Sequence, residues 1–234
     1  MAITIAGSGI TSANIADGTI VSADLASGVG DTGLKSQQVF GSSGTWTKPA
    51  GINTIKVVVT GAGGGGGSES GAADFGAAGG AGGTAIEIID VSAVSSVTVT
   101  IGTSSGSSGT NTNGGSGGTS SFGSYCSATG GVGGRGAHNS AAYGGDGGVG
   151  SGGDINLQGG CGGNGWNGTT TVSQTNISVG GASYWGGGGR GSSYSTNAPL
   201  EGRAYGSGGG ATNFLNGTNG LAGKAGVILV EEYA

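Results

Sequence analysis

The chain has 234 residues, 63 of them glycine, about 27% where about 7% is usual; 8% are charged, and the net charge is −5. Two prolines and unbroken runs such as Gly63–Gly67 exclude a collagen triple helix, which needs glycine at every third position and abundant proline. Low charge with clear apolar strands argues against simple disorder, and the acidic balance against a general affinity for nucleic-acid phosphates.

The opening Met-Ala-Ile-Thr-Ile lacks the basic start and long apolar core of a signal peptide. No run approaches the roughly 18 apolar residues of a membrane span, so no membrane insertion is expected. Residues 10–28 hold a ten-residue repeat, Ile10-Thr-Ser-Ala-Asn-Ile-Ala-Asp-Gly18 against Ile20-Val-Ser-Ala-Asp-Leu-Ala-Ser-Gly28. One repeat pair cannot bury Ile10, Ile15, Ile20 and Leu25 by itself, and other copies of the chain would cover them most simply. Residues 1–36 therefore read as an N-terminal arm or short shaft, with Gly28–Ser36 as its linker, and residues 37–234 as the main domain.

That domain is expected to be mainly β. Val39–Phe40, Thr45–Thr47, Ile55–Thr60, Ala85–Val91, Ser96–Ile101 and Ala225–Tyr233 are β-rich, and Ser96–Ile101 alternates so that one face is buried. These strands frame a glycine block, Gly61–Gly210, that reads as an insertion in the β framework. Ile155 and Leu157 mark one more short strand inside it. Helices are excluded there, because each glycine costs about 1 kcal/mol relative to alanine. The runs fit polyproline-II-like (polyglycine-II) rods of three residues per turn, whose outward N–H and C=O groups neighbouring rods could satisfy. The interruptions 68–75, 137–143, 166–167, 183–185 and 192–201 are then loop tips.

Phe40-Gly-Ser-Ser-Gly-Thr-Trp-Thr-Lys-Pro-Ala-Gly51, leading into Ile55-Lys-Val-Val-Val-Thr-Gly-Ala-Gly-Gly-Gly-Gly-Gly67, resembles the opening of the glycine-rich C-terminal domain of bacteriophage tail fibres and adhesins. Gly152–Gly160 and Gly226–Tyr233 are similar to later landmarks of that family, and the repeat at 10–28 is similar to short repeats of marine phage fibres. The resemblance covers about residues 37–234. It implies a virion protein, made in the host cytoplasm and exposed after release, that recognises a bacterial surface receptor, saccharide or outer-membrane protein. It also implies a homotrimer with glycine rods carrying variable loops, and attachment to other virion proteins through the arm. The competing readings are a purely structural head fibre or capsid decoration, and a depolymerase, which would need two carboxylates across a groove.

No enzyme or cofactor is expected. His138 is the only histidine, so a triad would rest on one loop residue. Cys126 and Cys161 lack the close spacing of zinc ligands, and a disulfide between them competes with two free thiols. Glycine-motif matches are inevitable at this composition, and Gly217–Lys224 lacks the Ser/Thr of a phosphate loop, Ala225 standing there instead. Asp74, Asp146 and Asp154 are followed by no calcium-binding repeat. Candidate receptor contacts are His138, Asn139 and Tyr143 in one loop and Tyr194, Asn197 and Leu200 in another. Trp166, Tyr184 and Trp185 are alternatives that packing explains equally well, since Tyr and Trp serve both roles.

Overall fold

Valine and isoleucine on every second position give strands one apolar face, and two such faces meet here. The computed structural model describes residues 33–68, 75–107, 109–136, 142–165, 178–192, 198–212 and 219–234. Among them there is no helix. The strands are β1 (Leu34–Phe40), β2 (Gly44–Thr47), β3 (Thr54–Thr60), β4 (Thr84–Asp90), β5 (Ser96–Thr100), β6 (Ser120–Phe122), β7 (Cys126–Ala128), β8 (Gly150–Ser151), β9 (Ile155–Leu157) and β10 (Val227–Tyr233). They form two five-stranded antiparallel sheets, β1-β10-β3-β4-β9 and β2-β5-β6-β7-β8. Ile55, Val57, Val59, Ile89, Ile228 and Val230 of the first face Trp46, Val97, Val99 and Phe122 of the second in one buried cluster. Each of these side chains contributes about 1.5–3 kcal/mol by burial.

The sheets are tied by a buried carboxylate. Glu232 on β10 is fully buried and accepts hydrogen bonds from Trp46 Nε1 (2.7 Å), Gln38 Nε2 (2.7 Å) and Ser36 Oγ. Burying a charged carboxylate is costly unless donors surround it, and here β1 and β2 both supply them. Elsewhere Gly51 and Gly123, with φ of +79° and +52°, make turns that a side chain would strain.

The glycine residues do not form one insertion. The chain leaves the sheets after β3, β5, β7, β9 and again before β10, returning each time through a glycine-rich span. Spans 61–68 and 75–83 are buried along their whole described length. Their N–H groups are satisfied by neighbouring spans in rotation. Gly61, Gly64 and Gly67 donate to Gly83, Gly80 and Ala77; Ala62, Gly65 and Ser68 donate to Gly118, Gly115 and Thr112; Gly63 and Gly66 donate to Lys224 and Leu221. In 75–83 the rotation repeats: Gly76, Gly79 and Gly82 donate to Thr212, Gly209 and Gly206, Ala77, Gly80 and Gly83 to Arg135, Val132 and Thr129, and Ala78 and Ala81 to Gly163 and Gly160. These bonds run 2.8–3.2 Å. The backbones are too close for side chains. A Cβ on Gly64 would lie 2.6 Å from the Val132 carbonyl carbon, and one on Gly80 2.5 Å from that of Asp146. Within 61–67 and 76–83 only alanine breaks the glycine, at 62, 77, 78 and 81, with Ser68 and Phe75 closing the far ends.

Outer spans follow a different rule with the same period. In 112–119, 129–136, 142–149 and 158–165 the exposed side chains recur every third residue: Asn113, Ser116, Thr119; Thr129, Val132, Arg135; Tyr143, Asp146, Val149; Gln158, Cys161, Asn164. The two residues between are glycine: in most pairs one packs against an inner span, as Gly114 on Gly65 and Gly131 on Gly80, and the other against a neighbouring outer span, as Gly115 on Ser105 and Gly130 on Gly117. The paired glycines of the sequence are thus the packed two-thirds of each turn.

Two sequence-based expectations need correction, and one open alternative is resolved. β1 begins at Leu34, inside the segment read as linker. The glycine block is woven through the sheets, contributing β6, β7 and β8. Cys126 and Cys161 are both free, Cys126 being buried in the sheet core and Cys161 exposed on an outer span, so no bridge forms. The decapeptide repeat and the rest of 1–32 lie outside the described residues.

Two outcomes follow for stability. Gly80→Ala should lower stability by about 3 kcal/mol, the upper end of overpacking penalties, whereas Asp146→Ala on the exposed position opposite should stay within about 0.5 kcal/mol. Thermal melting of both variants measures the contrast.

Burial, reinforced by the nearby Glu87 charge, pushes the Cys126 thiol up to about 12. An unfolded thiol ionises near 8.5, so this contribution to stability is intact below about pH 8.5 and is lost as pH rises toward 12. A thiol reagent at pH 8 should therefore titrate Cys161 alone in the folded protein and both cysteines after denaturation.

Candidate functional site

The hydrogen-bond rotation stacks the glycine spans in layers. Nearest the sheets, Gly61, Gly83, Thr129 and Val149 are linked in sequence through N–H to C=O bonds; Gly64, Gly80, Val132 and Asp146 form the next layer, and Gly67, Ala77, Arg135 and Tyr143 the far one. At that far end Ser68 donates to the Thr112 carbonyl, Gly76 to Thr212, Gly165 to Ala142 and Ser192 to Ala211, and Gly136 donates to Asn113 Oδ1. Ser178, at a φ of +66°, places its hydroxyl 2.8 Å from both the Gly76 and the Asn164 carbonyls. The residues that flank 69–74, 137–141, 166–177, 193–197 and 213–218 therefore share one end of the molecule, opposite the sheets.

This arrangement sorts the candidate contacts. Gly136 and Ala142, which flank His138 and Asn139, sit at the far end, as do Gly165 and Ser178 around Trp166 and Ser192 around Tyr194 and Asn197; those five candidates themselves lie outside the described residues. Tyr143 is in the far layer, 58% exposed, with the Arg135 guanidinium 5.8 Å from its ring centroid, a cation–π contact.

Tyr184 and Trp185 belong to the other end. They lie in the turn closed by Ser183 and Gly186, and Trp185 Nε1 donates to Thr60 Oγ1 (2.9 Å) at the end of β3. Tyr184 meets Trp185 edge-on, with centroids 5.1 Å apart. The two aromatics are thus not brought together with the residues around 137–143.

Leu200 lines a side groove of about 480 Å³ with Pro199, Glu201, Arg203, Leu221 and Lys224. Sequence reasoning passed over Arg203 and Lys224, because isolated basic residues amid glycine carry no motif; only the fold brings them together.

Electrostatics elsewhere are modest. Lys56 and Glu231 pair at 3.0 Å; this bond raises the lysine pKa and lowers that of the carboxylate. Desolvation, and behind it the Asp154 charge, raises the pKa of Glu87. Among the described residues no group of three or more His, Cys, Asp or Glu could hold a metal ion.

No curated protein matches the sequence. A family model described as a glycine-rich domain matches residues 7–233, taking in both sheets and every described glycine span. The chain belongs to this glycine-rich domain family.

Proposed function

We propose that the protein is a bacteriophage tail-fibre or adhesin protein that binds the bacterial surface without catalysis, through the segments at the end away from the sheets. The observation that carries this reading is the clustering of their flanking residues at one end of a backbone-bonded scaffold. Binding residues commonly sit on loops that such a scaffold holds in place. The three-residue rotation of donors supports treating the glycine spans as polyglycine-II-like rods, which would make that scaffold stiff at little cost in side-chain bulk. The sequence resemblance to phage fibre tips adds the virion setting, the homotrimer and the arm at 1–36 as the link to other virion proteins. The receptor in this reading is a surface saccharide or an outer-membrane protein.

Purified His138→Ala, Tyr143→Ala and Tyr194→Ala variants should bind host cells more weakly while melting normally. A contact aromatic at the centre of such a patch is worth about 2 kcal/mol or more, and every 1.4 kcal/mol is about tenfold in affinity. Ile155→Ala, on the sheet at the opposite end, should bind as the parent does. The isolated protein must be used, since multivalency on a particle can mask a single-site loss. Unchanged binding in all three with normal melting would remove the far end from the receptor site.

A further inference from the structure

The groove beside Leu200 does not end at Lys224. A second concavity of about 420 Å³, lined by Trp185, Arg203, Ala204, Tyr205 and Lys224, shares Arg203 and Lys224 with the first. The two form one trough along the side of the molecule. Its floor is fixed by backbone bonds between spans: Gly202 donates to Ala222, Leu200 to Arg190, and Lys224 to Ser207.

Three features give this trough a chemical character. Arg203 and Lys224 are exposed cations in a chain with only seven lysines and arginines against twelve acids. Their side chains make no hydrogen bond or ion pair among the described residues, although Glu201 lines the same groove. The third feature is aromatic. Trp185 has its only polar atom committed to Thr60, so it offers the trough its ring alone, and Tyr184 braces that ring edge-on. Tyr205 is 43% exposed beside it, its backbone carbonyl held by the Ser183 hydroxyl at 2.6 Å.

The geometry points to a binding site for an acidic saccharide in this trough. A sugar ring would stack on Trp185 and Tyr205 and place its carboxylate between Arg203 and Lys224. The planar guanidinium can take a carboxylate through two parallel bonds, with the ammonium as a second point charge. The Trp185 ring is already held in place by Thr60 and Tyr184, so little ordering of it is needed on binding. Leu200, Leu221 and Pro199 extend the trough for a neighbouring sugar unit. This site runs along the side of the domain from Trp185 at the sheet end to Leu221, whose carbonyl accepts from Gly66 near the far layer, and its cations and aromatics lie outside the far-end segments proposed above as receptor contacts.

Titration calorimetry of the full chain with an α-linked galacturonate oligomer tests it. A neutral maltose oligomer serves as the control, and inorganic phosphate as the competitor. The expected result is binding of the galacturonate oligomer that weakens with added salt, with the maltose oligomer at least about tenfold weaker. Arg203→Gln and Lys224→Gln should each weaken binding about tenfold or more with unchanged melting, and Tyr205→Ala should weaken both oligomers. No binding of the galacturonate oligomer, equal binding of the neutral one, or unaltered affinity in both glutamine variants would overturn the site. Displacement by inorganic phosphate at concentrations matching the saccharide would overturn the saccharide assignment, because it would mark a general anion site. His138→Ala should leave this titration unchanged, which separates the trough from the far end.

Discussion

Backbone N–H and C=O groups buried without partners cost so much that nearly all of them must be paired, and spans 61–68 and 75–83 are buried without belonging to either sheet. They meet that demand by lending successive N–H groups to successive neighbours. Such a rotation works only if six or so backbones can crowd around one, which removes the room for any Cβ larger than a methyl group. The composition follows from this. Between Ser68 and Phe75 at their far ends and the sheets, glycine and alanine fill the two inner spans, and the outer spans keep a side chain on one residue in three. The entropy lost in ordering so many glycines is offset by dense lateral hydrogen bonding, with the sheet core of Trp46, Phe122 and the valines of β3 anchoring one end.

Much of this was legible in the residues. The period-two pattern of 96–101 marks β5, and β-branched runs mark β3, β4 and β10. Pairs of glycines separated by single residues, as in Thr129-Gly-Gly-Val-Gly-Gly-Arg, contain the outward every-third-residue rule. What could not be read were strands such as Ser120–Phe122, Cys126–Ala128 and Gly150–Ser151. They are too short and too poor in β-formers to stand out, and exist because neighbouring strands pair with them. Glu232 was equally hidden: in Val-Glu-Glu-Tyr it looks like a solvated acid, yet strand parity turns it inward under Trp46. The choice between a bridge and free thiols at Cys126 and Cys161 was open in sequence for the same kind of reason, since only the fold sets one residue facing the sheet core and the other facing out.

The candidate site was legible only in part. Sequence placed aromatic and polar side chains in the interruptions but could not say which interruptions share an end. The layers settle that for their flanks: Gly136, Ala142, Gly165, Ser178 and Ser192 lie together, while Tyr184 and Trp185 lie at the sheet end. The cations of the trough were invisible in sequence because Arg203 and Lys224 come from separate spans that only lateral bonds such as Gly202 to Ala222 and Lys224 to Ser207 bring side by side. A scaffold of this kind separates two tasks. Lateral backbone bonds fix where segments emerge, and the identity of exposed residues is left almost unconstrained by packing.

The lateral bonding of the inner spans is tested most directly by site-resolved amide hydrogen exchange. Glycine amides of 61–68 and 75–83 should exchange as slowly as those of β3, at the rate of global unfolding, because each is bonded within the interior. Exchange of these amides within minutes, while β3 stays protected, would contradict the glycine lattice.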